Sequence, residues 1–215
     1  MKSVVTRLAE FRLMPVIVID DPVDAAPLAG ALMAGGLPAA EVTLRTPGAV
    51  EALRIIRQTH PGVLAGAGTV LSPQQAKDAL DAGAEFIVTP GFNPRVVDYC
   101  LERNVPIIPG VCTPTEIEMA LERGLEVLKF FPAEPMGGIA FLKAICAPYA
   151  MLRFVPTGGI SERNLGDYLG FPQVLACGGS WMAPQAFIQQ KLFERILAET
   201  RRAVAAVGQS SGEGR

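Results

Sequence analysis

Lys129 stands in the middle of an apolar run, Val127-Leu128-Lys129-Phe130-Phe131-Pro132, which reads as a short buried strand ended by a proline. The chain has five lysines, and Lys2, Lys77, Lys143 and Lys191 fall among polar residues or on helix-surface patterns. An ammonium without a partner is expensive to bury, and lysines in apolar surroundings commonly respond by becoming neutral amines. A neutral amine attacks carbonyl carbon, so Lys129 is a candidate Schiff-base residue. Two other roles stay open on this strand alone. The lysine could form a structural ion pair, or carry its charge out to water at the strand end.

A second charged cluster lies in Glu41-Val42-Thr43-Leu44-Arg45. If this stretch is a strand, the period of two puts Glu41, Thr43 and Arg45 on one face and Val42 and Leu44 on the other. Glu41 and Arg45 could simply neutralise each other, as buried charges usually do. Together with an amine in one cavity, they suit chemistry on a 2-oxo acid instead. The amine condenses with the ketone, the carboxylate moves protons, and the guanidinium holds the substrate carboxylate by paired hydrogen bonds. Two glycine pairs, Gly158-Gly159 and Gly178-Gly179 followed by Ser180, end later apolar runs and offer backbone N–H groups for a phosphate. Tight turns also want glycine, so each pair alone is weak evidence of a site.

The elements that must position these residues alternate along the chain. Short apolar runs recur at Pro15 to Ile19, Ala40 to Arg45, Leu64 to Thr69, Phe86 to Pro90, Pro106 to Gly110, Val127 to Pro132, Arg153 to Gly159 and Val174 to Ser180. Between them lie helical patterns, among them Val23 to Ala34, Ala49 to Gln58, Pro73 to Ala82, Pro94 to Arg103, Thr115 to Arg123 and Gly138 to Ala147. Ser72-Pro73, Asn93-Pro94 and Thr113-Pro114 fit an N-cap followed by proline in the first turn. Gly35-Gly36, Gly83 and Gly124 fit helix stops. Eight strands alternating with helices predict parallel crossovers and a single closed (β/α)8 TIM barrel preceded by an N-terminal helix, with a doubly wound open sheet as the alternative. In a barrel, Lys129, Glu41 and Arg45 point inward and the active site lies at the C-terminal ends of the strands. The third strand then contributes Thr69 to the same mouth.

Composition narrows the class further. The 215 residues, 50% hydrophobic and 19% charged, suit one domain over residues 1–207, with a last helix from Pro184 to Val207 and a disordered glycine-rich tail over 208–215. A net charge of -2 argues against general nucleic-acid or membrane-surface binding. No apolar run reaches the length of roughly 20 residues that a membrane span needs. The start, Met1 to Arg7, does not read as a signal peptide, which makes the cytoplasm the expected location. Cys100, Cys112, Cys146 and Cys177 lack CxxC spacing and read as reduced residues. A single histidine, His60, beside Pro61-Gly62, makes a histidine-based zinc site an unfavourable reading.

Five motifs then carry a resemblance. Glu41-Val42-Thr43-Leu44-Arg45-Thr46, Gly66-Ala67-Gly68-Thr69-Val70-Leu71, Lys129-Phe130-Phe131-Pro132-Ala133-Glu134, Pro156-Thr157-Gly158-Gly159-Ile160 and Gly178-Gly179-Ser180-Trp181 closely resemble the bacterial 2-keto-3-deoxy-6-phosphogluconate (KDPG) aldolases. These are class I enzymes that often also act as 4-hydroxy-2-oxoglutarate (KHG) aldolases. The resemblance runs from about Val4 to Val207. It implies that Lys129 forms the Schiff base, Glu41 is the acid/base, and Arg45 and Thr69 engage the pyruvate carboxylate. It further implies that Pro90 and Phe131 line the pyruvate pocket, Thr157 touches the substrate chain, and Gly158, Gly159, Gly179 and Ser180 bind phosphate. A homotrimer, a small-molecule 2-oxo acid phosphate as substrate, a place in the Entner-Doudoroff pathway and no metal or cofactor are implied in the same way. Three alternatives compete: a metal-dependent pyruvate aldolase, a phosphate-binding isomerase or synthase using Glu41 as base, and a non-catalytic sensor of sugar-acid phosphates.

Overall fold

The structure is a computed structural model describing residues 3–210. The chain runs α1 (Val4–Phe11), β1 (Leu13–Ile17), a 3-10 turn (Pro22–Asp24), α2 (Ala25–Ala34), β2 (Ala39–Thr43), α3 (Ala49–Thr59), β3 (Leu64–Gly68) and α4 (Pro73–Asp81). It continues with β4 (Ile87–Val88), α5 (Pro94–Leu101), β5 (Ile107–Ile108), β6 (Gly110–Val111), α6 (Pro114–Leu121), β7 (Val127–Phe130) and α7 (Gly138–Cys146). The last elements are β8 (Arg153–Pro156), α8 (Leu165–Leu169), β9 (Cys177–Gly179), α9 (Gln185–Gln189) and α10 (Phe193–Ser210). The predicted last helix is thus two, and the second runs to Ser210 rather than Val207; the remainder of the predicted tail lies outside the described residues.

Local sequence sets the helix ends. The Ser72 and Asn93 side chains accept from the backbone N–H groups of Gln75 and Arg95, and Thr113 closes a capping box with Glu116. Each such cap is worth about 1 kcal/mol. Gly36, Gly83 and Gly124 take left-handed φ values of 86°, 95° and 71°, where a side chain would be strained. The buried apolar residues fall into two groups, and alternate strand positions divide between them. Leu64, Phe86 and Val88 join one, while Ala65, Ala67 and Ile87 join the other against the buried faces of α2 to α5. That division is the period of two expressed as packing.

The predicted closed eight-stranded TIM barrel is not what the chain forms. Among the described residues nine strands make two parallel sheets, a six-stranded curled sheet in the order β5-β4-β3-β2-β1-β9 and a three-stranded sheet in the order β6-β7-β8. The apolar run Pro106 to Gly110 is divided between them. Pro109 has no N–H to give to a ladder, and the Gly110 N–H donates instead to the Thr89 hydroxyl at 3.3 Å. The backbones are so close here that a Cβ on Gly110 would lie 2.2 Å from the Pro90 carbonyl oxygen. On the other side, β8 and β9 lie next to each other without a continuous ladder, and isolated bridges join Phe154 of β8 to Val174 before β9, and Thr157 after β8 to Gly178 of β9. Within the sheets, Glu41 pairs with Val16 and Gly66, and Lys129 with Gly110 and Val155. The amine and the carboxylate therefore come from different sheets.

Candidate active site

Lys129 and Glu41 meet across the gap between the two sheets. Their side chains are almost fully buried, 6% and 0% exposed, and Lys129 Nζ lies 3.1 Å from Glu41 Oε1. Glu41 thus pairs with Lys129 and not with Arg45, four residues away on its own chain. The second carboxylate oxygen, Oε2, is buried without a hydrogen-bond partner among the described residues. An oxygen so placed is free to accept a proton from a group entering the site. Gly68 makes the arrangement possible, because a Cβ there would stand 2.2 Å from Glu41 Oε1. Thr43, which shares the inward face with Glu41, donates its hydroxyl to the Ile17 carbonyl at 2.8 Å and so supports the strand beside it.

Phe131 joins this pair to an open cavity. Its ring centroid is 5.3 Å from Lys129 Nζ, and it also lines a cavity of about 350 Å³. Arg45, Thr157, Gly158, Gly159, Gly179 and Ser180 line the same cavity. Arg45 sits in the turn after β2 rather than in the strand, exposed, and nothing among the described residues pairs with its guanidinium. Gly158 and Gly159 turn at φ values of 99° and 84° and line the cavity wall. Thr157 is buried; its hydroxyl donates to the Val155 carbonyl at 3.3 Å, and its side chain fills the space beside Gly178.

Two predicted residues lie elsewhere. Pro90 lines a separate cavity of about 340 Å³ with Val70, Phe92, Asn93 and Glu116. Thr69 follows β3 in the left-handed region, at φ 56°, half-buried and outside both cavity walls.

The cavity also contains residues that sequence reasoning missed. Val16 of β1 and Val18 just after it line the cavity, both half-buried, and their alternation in the run Pro15 to Ile19 was the signal that could have found them. Gln185, at the start of α9, lines it too and donates to Asp20 Oδ2 at 2.9 Å, joined by Gln189 at 2.8 Å. These two amides, Gln185 first, hold the Asp20 carboxyl below the usual carboxylate range. No charge or motif marks the glutamine in the sequence. Burial pushes the Cys100 thiol up to about 11 and the Cys177 thiol up to about 12. Among the described residues no three His, Cys, Asp or Glu side chains group in a way that could hold a metal ion. Among them, too, no helix is long and apolar enough to cross a membrane.

Comparison with known proteins places this geometry. A family model described as KDPG and KHG aldolase matches residues 4–199. The chain is 50% identical over 208 residues to a 2-dehydro-3-deoxy-phosphogluconate aldolase of Treponema pallidum (strain Nichols), covering 97% of this chain and 99% of that one. It is 44% identical over 192 residues to a KHG/KDPG aldolase of Escherichia coli (strain K12), covering 89% and 90%. A crystal structure of the KDPG aldolase from Legionella pneumophila, with pyruvate captured at low pH as a covalent carbinolamine intermediate, matches with a TM-score of 0.89 at 42% identity, covering 93% of this chain and 97% of that one. The chain belongs to the KDPG and KHG aldolase family.

Proposed function

We propose that this protein is a class I aldolase that cleaves KDPG to pyruvate and glyceraldehyde 3-phosphate, and 4-hydroxy-2-oxoglutarate to pyruvate and glyoxylate. The observation that carries the reading is the buried Lys129–Glu41 contact of 3.1 Å beside a cavity walled by Arg45 and by the glycine turns. Lys129, as the free amine, attacks C2 of the 2-oxo acid. Glu41 moves the protons that turn the carbinolamine into an iminium with loss of water. Glu41 then takes the proton of the C4 hydroxyl, directly or through a water. The C3–C4 bond breaks, its electron pair enters the iminium, and the aldehyde leaves. Protonation of the enamine at C3 and hydrolysis of the iminium release pyruvate and restore the amine.

Arg45 is exposed at the cavity and unpaired among the described residues, and its fork suits the substrate carboxylate, for which Thr69, at the end of β3, is the proposed second partner. Phe131 forms the apolar side of the pyruvate pocket, and Pro90, which lines the neighbouring cavity, is its proposed far wall. Thr157 contacts the substrate chain, and Gly158, Gly159, Gly179 and Ser180 hold the phosphate by backbone and hydroxyl donors. Residues 1–207 act as one aldolase domain, assembled as a homotrimer and working in the cytoplasm on the Entner-Doudoroff pathway. The test is incubation with pyruvate and sodium borohydride, with and without EDTA, followed by mass spectrometry. A reduced pyruvyl adduct on Lys129 alone, unaffected by EDTA, is expected. No adduct, or one spread over the surface lysines, returns Lys129 to a structural role.

A further inference from the structure

The turn that follows Lys129 and the turn that carries Gly158 and Gly159 lie directly on one another. The Ala133 N–H donates to the Thr157 carbonyl at 2.8 Å, and the Glu134 N–H to the Gly158 carbonyl at 3.0 Å. There is no room between them for a side chain on the glycines. A Cβ on Gly159 would stand 2.5 Å from Glu134 Cβ, and one on Gly158 would stand 3.2 Å from Pro132 Cα. Side chains hold this stack from outside. Tyr168 of α8 is 1% exposed, and its hydroxyl donates to Glu134 Oε1 at 2.5 Å. Asn164, just before α8, donates to the Gly159 carbonyl at 3.1 Å and accepts from the Ser161 N–H at 2.8 Å. Gly138 leaves space for the Glu134 carboxylate, since a Cβ there would lie 2.9 Å from Oε1.

We propose that Tyr168 and Glu134 are a positioning pair that fixes the phosphate-binding turn, Gly158–Gly159, at a set distance from the Lys129 amine, and thereby sets the preference for phosphorylated over unphosphorylated 2-oxo acids. Neither side chain lines the active-site cavity, so both act through the two turns they join. Tyr168 belongs to the helix behind the phosphate turn, and Glu134 to the turn that leaves the lysine strand. Burial and, after it, the bond to Glu134 raise the Tyr168 phenol well above its ordinary value, so it remains a donor through the neutral range. The pair is a tie between backbones whose relative placement only a two-ended substrate senses. KDPG engages the lysine with its ketone and the glycine turn with its phosphate. The shorter KHG ends in a carboxylate and makes no phosphate contact.

The inference rests on the aldolase reading, and the test separates the two. Wild type, Tyr168→Phe, Glu134→Ala, Glu134→Gln and the Tyr168→Phe/Glu134→Ala double variant are assayed on KDPG and on KHG, with pyruvate–borohydride trapping and thermal melting run on each. Tyr168→Phe is expected to raise KM for KDPG about five- to tenfold, the size of one lost hydrogen bond. Its kcat/KM for KHG and its trapping at Lys129 stay within about twofold of wild type, a range within the ordinary scatter of independent sites. Glu134→Gln keeps an acceptor for the tyrosine and restores the wild-type KM, and the double variant is no worse than the poorer single. Equal losses on both substrates, additive effects in the double variant, or no change in KM for KDPG overturns the positioning role. Failure of the wild type to cleave either substrate or to trap pyruvate overturns the aldolase reading itself, and the pair's assigned role falls with it.

Discussion

The two walls of the site use glycine for opposite purposes. In the six-stranded sheet, Gly68 has an ordinary strand conformation and is small because the Glu41 carboxylate occupies the space of its side chain. In the turn after β8, Gly158 and Gly159 have left-handed φ values, and their smallness also lets another backbone approach. On the proposed function, one wall places a side chain that reacts and the other presents main-chain groups that bind. The three-stranded sheet is also aromatic where the larger sheet is small. Phe130 stacks on Phe141 of α7 with ring centroids 5.9 Å apart, whereas β3 reads Leu64-Ala65-Gly66-Ala67-Gly68. A stiff aromatic support suits the strand that bears the buried lysine, and thin strands suit the side that must admit a buried carboxylate. Reaction rate and phosphate affinity are thus expected to respond to different walls.

The largest effect belongs to the lysine. Lys129→Met keeps the length of the side chain but removes the amine, and it is expected to abolish both pyruvate release and borohydride trapping. The lone Glu41 left behind also lowers stability, by about 3 to 5 kcal/mol for a broken buried pair, which urea melts measure. Clear residual turnover in the folded variant would detach the lysine from the chemistry. Glu41→Gln comes next, with kcat reduced on the order of 10²- to 10⁴-fold as for a lost proton shuttle. Its KM is expected to change much less, because the phosphate wall is untouched. A KM effect dominating over kcat would instead make Glu41 a binding residue.

The glycines sharpen the contrast at smaller magnitude. Gly68→Ala displaces the Glu41 carboxylate and is expected to lower kcat, with about 1 to 3 kcal/mol of overpacking. Gly159→Ala strains the turn and meets Glu134, so its effect is expected in KM for KDPG. Gly91→Ala, where the added methyl meets nothing within 4 Å, serves as the reference and stays within about 0.5 kcal/mol in melts. Identical kinetic signatures for the alanines at positions 68 and 159 would erase the division between the walls.

The inward placement of Lys129 and Glu41 was legible because strand periodicity is a local property that survives any arrangement of neighbours. The same holds for the capped helices, where Ser72, Asn93 and Thr113 each bond within a few residues of themselves. The split of the sheet was not legible. It depends on the Thr89 hydroxyl taking the Gly110 N–H, a contact between residues distant in sequence. Helix α8 was missed because Leu165–Leu169 is too short to show a period. Arg45 was placed one element early, since the alternation Glu41, Thr43, Arg45 continues past the residue where β2 ends. Gln185 gave no signal, because a neutral amide acquires its role only from the Asp20 carboxylate and the cavity it faces.

The pairing of the first strand with the last bears on how the molecule is made. Leu13, Met14 and Pro15 lie opposite Cys177, Gly178 and Gly179. During synthesis Glu41 emerges early and Lys129 midway, yet β1 keeps one unpaired edge until β9 leaves the ribosome. A nascent chain halted before Cys177 holds Glu41 and Lys129 but lacks Gly179 and Ser180 of the cavity wall. It also displays a bare parallel edge of the kind that invites pairing with other chains. The last strand to emerge therefore both covers the edge of the first and completes the cavity wall.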